Sequence, residues 1–139
     1  MSATRYLENQ VMSVDPMGLV RLLYEGAIDS LLQARAFLKE GRIRERSAAI
    51  SKAMQIILEL QGSLDMERGG QIAQRLAQLY VYIQERLAEA NGQQELPPLD
   101  EALKLLNVLY GGWKEVALET IAAKTFEQAA DRPSVGWTL

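Results

Sequence analysis

The chain has 139 residues, 48% hydrophobic and 24% charged, with a formal net charge of −3, the profile of one soluble globular domain able to bury about 70% of its unfolded surface. It contains no cysteine and no histidine, which excludes disulfides, thiolate chemistry, the commonest general base and the commonest transition-metal ligand. The net negative charge argues against a nucleic-acid partner, because phosphate binding needs a concentrated basic face.

The first residues, Met1 to Tyr6, show no basic region leading into an apolar run, and no segment reaches 18 consecutive apolar residues. No secretory signal, no stable membrane insertion and a cytoplasmic location are therefore expected. Residues 1–15 form an N-terminal arm in which Tyr6, Leu7, Val11, Met12 and Val14 are too apolar for a solvated tail.

The first helix is expected to open at Pro16, whose fixed φ suits the first helical position, with Asp15 as its N-cap. Val20, Leu23, Ala27, Leu31, Ala34 and Leu38 recur at helical spacing, and Gly41 marks the end. The second helix spans about Arg44 to Leu64, with Ile50, Ala53 or Met54, Ile57, Leu60 and Leu64 on its stripe; Ile56 and Leu58 lie off that line. A turn at Gly69-Gly70 precedes the third helix, which places Ile72, Leu76, Leu79, Ile83 and Leu87 inward and stops at Asn91-Gly92. Its apolar arc around Leu79, Tyr80, Val81, Tyr82 and Ile83 is wider than one core contact needs, so part of it must meet another helix or another protein.

Gly92 and the Pro97-Pro98 pair break the chain before a fourth helix starting near Leu99. That helix uses Leu103, Leu106, Leu109 or Tyr110, Trp113 and Val116, with Leu105 and Val108 away from the stripe. Nothing alternates like a β-strand. The expected fold is all-α, an antiparallel four-helix bundle over residues 16–122 with a short N-terminal arm or helix, and a C-terminal extension over 123–139 carrying Trp137.

Catalytic chemistry finds little support. Without histidine no bundle-type metal site can be assembled, no serine has an activating base, and neither a cofactor nor an enzymatic reaction is expected. Glu85 and Glu89 beside Arg86 read as a solvated face, as do Arg42, Arg44 and Arg46 beside Glu40 and Glu45. Gly69-Gly70 reads as a tight turn, because no phosphate-loop spacing surrounds it. Gly111-Gly112 needs a reason, since two glycines inside a helix cost on the order of 1 kcal/mol each relative to alanine. Either a neighbouring backbone or bulky side chain approaches closely there, or the pair forms a notch for a partner helix.

The ordered motifs of the chain resemble those of the FliS family of flagellar secretion chaperones. Tyr6 followed by Val11 is similar to the family's N-terminal spacing. Asp15-Pro16 with Leu19, then Leu23-Tyr24-Glu25-Gly26-Ala27-Ile28, resembles its first-helix signature, usually Ser-Pro followed by Leu-Tyr-Asp-Gly-Ala. Ser63-Leu64-Asp65, Gly69-Gly70, Leu76, Leu79-Tyr80 and Ala90-Asn91 match the next signature, and Trp113 its late tryptophan. Asp15 in place of Ser still caps a helix, whereas Gly111-Gly112 and the tail around Trp137 are not family features.

The resemblance implies a cytosolic export chaperone that binds the disordered C-terminal segment of flagellin, prevents premature polymerisation and needs no cofactor. It adds the flagellar export apparatus and flagellar regulators as further candidate partners. A disordered amphipathic ligand would lay its apolar faces into hydrophobic grooves. Ile56, Leu58, Tyr82, Leu105, Val108, Gly111 and Gly112 are the expected partner contacts. Tyr6, Leu7 and Val11 either cover the groove until the partner displaces them or complete the core as a short helix. Tyr24 and Tyr80 are expected as buried rings with a hydroxyl bonded nearby. The competing function is a helical regulatory adaptor that binds a folded protein.

Overall fold

The computed structural model describes residues 16–131, with side chains through residue 116. Tyr6, Leu7, Val11 and Trp137 lie outside the described residues. Four helices follow in order: α1 (Pro16–Glu40), α2 (Ile43–Gly62), α3 (Met66–Gln93) and α4 (Leu96–Asp131). Each packs on its neighbour in sequence, and α4 closes the ring against α1. Short connections make successive helices antiparallel, so the architecture is the expected all-α four-helix bundle. No helix among the described residues is long and apolar enough to cross a membrane.

Local chemistry sets the helix ends. At the end of α1 the Arg42 N–H donates to the Phe37 carbonyl (2.9 Å) and the Gly41 N–H to that of Leu38 (3.2 Å). This is the paired bonding of a Schellman motif, with Gly41 at φ +72° supplying the left-handed residue. The Arg42 guanidinium lies 4.9 Å from the Phe37 ring centroid and covers the turn. Asp65 caps α3 by accepting from the Glu67 and Arg68 N–H groups at 3.1 and 3.0 Å. One turn later the expected break appears as a kink inside α3: Gly70 has φ +51° and ψ −129°, open only to glycine.

Two expected boundaries move. The third helix runs past Asn91-Gly92 to Gln93, and Gln94 turns the chain in a left-handed conformation while the Glu95 N–H donates to the Ala90 carbonyl (3.2 Å). Pro97 and Pro98 do not separate helices but sit in the first turn of α4. Their missing N–H groups would be orphans there anyway, so they start the helix instead of breaking it.

The core alternates large and small side chains. Leu31, Ile50, Ile57, Leu60, Ile83, Leu87, Leu99 and Leu106 are fully buried, and Ala27, Ala34, Ala53, Ala90 and Ala102 fill the spaces between them. Polar ties join the helices around this core. Arg35 of α1 donates to both oxygens of Asp100 at the start of α4 (2.6 and 3.4 Å), and Gln84 of α3 donates to Gln61 of α2 (3.2 Å).

Three residues expected inside are not. Ile72 is 71% exposed and Val116 60%, because both stand at the end of the bundle where no helix among the described residues covers them. Leu79 is half-buried, and its neighbour Tyr80 takes the interior position at 3% exposure.

Candidate functional site

All four helices meet at the end of the bundle where α1 and α3 begin and α2 finishes. Among the described residues the core does not close there. It opens into a groove of about 630 Å³. Val20 and Tyr24 of α1, Leu60 of α2, Leu64 of the following turn, and Leu76 and Tyr80 of α3 form its inner walls. On the α4 side it is bounded by Val108, Leu109, Gly112, Trp113 and Val116. Tyr24, Leu60 and Tyr80 are buried at its floor, whereas Ile72, Val108 and Val116 stand exposed at its rim.

The groove follows from how the helices begin and end. The kink at Gly70 redirects α3 just before Ile72, and Asp65 anchors the turn below it. A side chain at Gly69 would bring its Cβ to 2.6 Å from that of Ala73, so that turn tolerates only glycine without a shift. The α4 wall is stiffened by stacked aromatic rings. Tyr110 lies 5.4 Å from Tyr24 and 6.3 Å from Trp113, with interplanar angles of 18° and 21°. The Tyr110 hydroxyl donates to the Glu25 carboxylate, and Lys114 Nζ sits 4.5 Å from the Tyr110 ring centroid. Burial first, and the Glu25 bond second, push the Tyr110 hydroxyl up to about 12.

At the floor the hydroxyls of Tyr24 and Tyr80 lie 2.6 Å apart. Burial is the main cause that raises the pKa of both, so both stay neutral. This matches the expectation of buried rings with a bonded hydroxyl. A second, shallower groove of about 390 Å³ lies between α1 and α2, lined by Leu19, Leu23, Leu58, Glu59, Gly62 and Ser63. Ser63 borders both grooves.

The expected contact residues fall into three groups. Val108 and Gly112 line the main groove, and Leu58, 56% exposed, lines the second. Gly111 is exposed beside Gly112, and a Cβ at either glycine would meet nothing within 4 Å among the described residues. No described neighbour therefore approaches the pair closely. Ile56 and Leu105 are not exposed as expected: both are half-buried and pack on the core, Ile56 Cδ1 lying 3.4 Å from where a Cβ of Gly26 would be. Tyr82 is 39% exposed but lies outside both grooves. Its hydroxyl donates to both oxygens of Glu101 (3.0 and 2.9 Å), beside Arg86. The Tyr82 hydrogen bond, followed by Arg86, holds the Glu101 carboxyl below its usual range.

Ile72, Leu76, Trp113 and Val116 line the groove although periodicity places them inward. The signal available for them was positional. They are the last stripe residues at one end of the bundle, where a core side chain has no further layer above it.

The groove is lined mainly by apolar and aromatic side chains. Residues 1–120 match the family model described as "Flagellar protein FliS". The chain belongs to the FliS family. It is similar to the flagellar secretion chaperone FliS of Salmonella typhimurium, 38% identical over 112 residues that cover 80% of this chain and 83% of that protein. It is 39% identical to the flagellar secretion chaperone FliSB of Pseudomonas aeruginosa over 111 residues, 80% of this chain and 88% of that protein. The relative from Bacillus subtilis, also a flagellar secretion chaperone FliS, is 25% identical over 112 residues. Tyr24, Tyr80 and Trp113, which line the groove, are among the residues on which the resemblance in sequence rests.

Proposed function

We propose that this FliS-family protein is a cytosolic flagellar export chaperone that holds the disordered C-terminal segment of flagellin in the groove at the open end of its bundle. Bound there, the segment cannot polymerise and stays competent for export. The observation that carries the reading is a groove of about 630 Å³, almost wholly apolar, presented by a folded bundle of this family. An amphipathic segment that lays its apolar face into such a groove removes both surfaces from water. Leu58 and the second groove extend the apolar surface past Ser63, in reach of the same chain.

The reading also gives the N-terminal arm a role. Pro16 opens α1 one turn before Val20, which lines the groove. Tyr6, Leu7 and Val11 precede it in sequence, and in this reading they compete with flagellin for the same apolar surface. Only the open fraction then accepts the partner, and the apparent dissociation constant rises by that fraction.

The test is calorimetry of the full-length protein with the synthetic C-terminal segment of flagellin from the same bacterium. A one-to-one complex is expected, with a negative heat-capacity change reflecting burial of roughly 1,000–3,000 Å² in coupled folding. Absence of binding to the segment, with binding to a folded flagellar protein instead, would favour an adaptor.

A further inference from the structure

The floor of the groove holds one more hydrogen-bond donor than the described residues can satisfy. Tyr24 and Tyr80 carry two hydroxyl hydrogens, and their 2.6 Å contact uses only one of them. Whichever ring donates, the other hydroxyl keeps a hydrogen, and no further hydrogen-bond partner for either oxygen exists among the described residues. Both residues line the groove but are only 2% and 3% exposed, so the spare hydrogen meets little water in the free protein. An unsatisfied buried donor is costly, and native structures rarely keep one without a use.

The other polar groups lining the groove are engaged. The Ser63 hydroxyl donates to the Leu60 carbonyl (2.7 Å), and the Asp65 carboxylate accepts from the N-terminal amides of α3. Everything else around the pair is apolar or aromatic.

We propose that the Tyr24–Tyr80 pair is a specificity element whose spare O–H donates to a carbonyl oxygen of the segment that fills the groove. The inference rests on the reading that flagellin's C-terminal segment occupies this groove. A neutral carbonyl suits the position better than a carboxylate, because an anion would lose its hydration among apolar walls. It comes from the backbone where the bound helix ends or from an Asn or Gln side chain. The partner is then fixed in register along the groove, which apolar packing alone does not do.

The experiment compares wild type with Tyr24→Phe, Tyr80→Phe and the double variant Tyr24→Phe/Tyr80→Phe, titrated with the synthetic flagellin C-terminal segment. Each single variant keeps one hydroxyl whose hydrogen is free to reach the partner, so each should bind within about threefold of wild type. The double variant should bind about 3- to 10-fold more weakly, the worth of one lost neutral hydrogen bond. Its cooperative unfolding should be retained, because both partners of the internal bond are removed together. A double variant with wild-type affinity overturns the proposal and leaves the flagellin reading standing. Failure of wild type to bind the segment overturns both. Should the double variant not fold, the tyrosine hydroxyl protons of the wild-type protein decide by NMR. A second slowly exchanging resonance that appears only in the complex supports the assignment, and its absence overturns it.

Discussion

The guanidinium of Arg46, 4% exposed, is held by a single residue of another helix: Nε donates to Asn91 Oδ1 (3.1 Å) and Nη2 to the Asn91 carbonyl (3.2 Å). Ser47 donates to the same Oδ1 (3.0 Å). This cluster ties the start of α2 to the end of α3, opposite the groove, and it contains no carboxylate. Asn91→Ala would remove the Oδ1 acceptor shared by Arg46 and Ser47 and leave the guanidinium only the backbone carbonyl at position 91 and the Ser47 hydroxyl. The expected loss is about 1–3 kcal/mol of folding stability, the cost of hydrogen bonds to a charged group lost on one side. Urea unfolding measures it, and a loss below about 1 kcal/mol would show that water replaces Asn91 without difficulty.

Leu106 is fully buried in the bundle core and Leu79 only half-buried. Leu106→Ala should cost about 2–5 kcal/mol through lost transfer energy and the cavity left behind. Leu79→Ala should cost clearly less. Equal losses in thermal or urea unfolding would place Leu79 in the core and contradict the observed packing.

Gly112 borders the groove, and among the described residues nothing lies within 4 Å of where its Cβ would stand. Gly112→Ala should therefore raise stability by about 0.5–1 kcal/mol through helix propensity. The added methyl group narrows the groove and should weaken binding of the flagellin segment. Higher stability with unchanged binding would remove the notch account of the glycine pair.

Tyr6→Ala tests the arm. If Tyr6 competes for the groove and makes no contact in the complex, the variant binds the flagellin segment more tightly or associates faster. Weaker binding by a stably folded Tyr6→Ala protein, read by calorimetry, would make the arm part of the docking surface.

Alkaline pH should destabilise the fold through the tyrosines at the groove end. The Tyr110 hydroxyl is raised from 10.0 to about 12, and Tyr24 and Tyr80 are raised as well. In each case the folded state holds its proton more tightly than the unfolded chain. The stabilisation is thus complete below pH 10 and is lost as pH rises from about 10 through 12. Tyr110→Phe should flatten part of this decline in a pH series of denaturation midpoints. A series in which wild type and Tyr110→Phe fall in parallel would show that Tyr110 contributes nothing to it.

Much of the fold was legible because amphipathic periodicity reports on one helix at a time. The stripes through Ala27, Leu31 and Ala34, through Ile50, Ala53, Ile57 and Leu60, and through Ile83 and Leu87 are the buried faces observed. Gly69-Gly70 announced a break through turn chemistry that depends only on neighbours in sequence, although α3 already starts at Met66, capped by Asp65, and the glycine marks a kink within it. Boundaries were less legible where a side chain served a distant partner. Asn91 looked like a helix stop, but its side chain accepts from Arg46 of another helix.

Sequence by itself determined the class of this protein: four amphipathic helices, short antiparallel connections, FliS-like motifs, and more apolar surface than a core requires. Tertiary structure decided where that surplus lies. Ile56 and Leu105, off their stripes, turn inward against the core, while Ile72 and Val116, on theirs, stand in the open. No period within one helix encodes where its neighbours stop, so the rim of a groove at the end of a bundle cannot be told from its core. Tyr24 and Tyr80 are 56 positions apart in the chain. Only the packing of four helices around one axis brings their hydroxyls together at the groove floor.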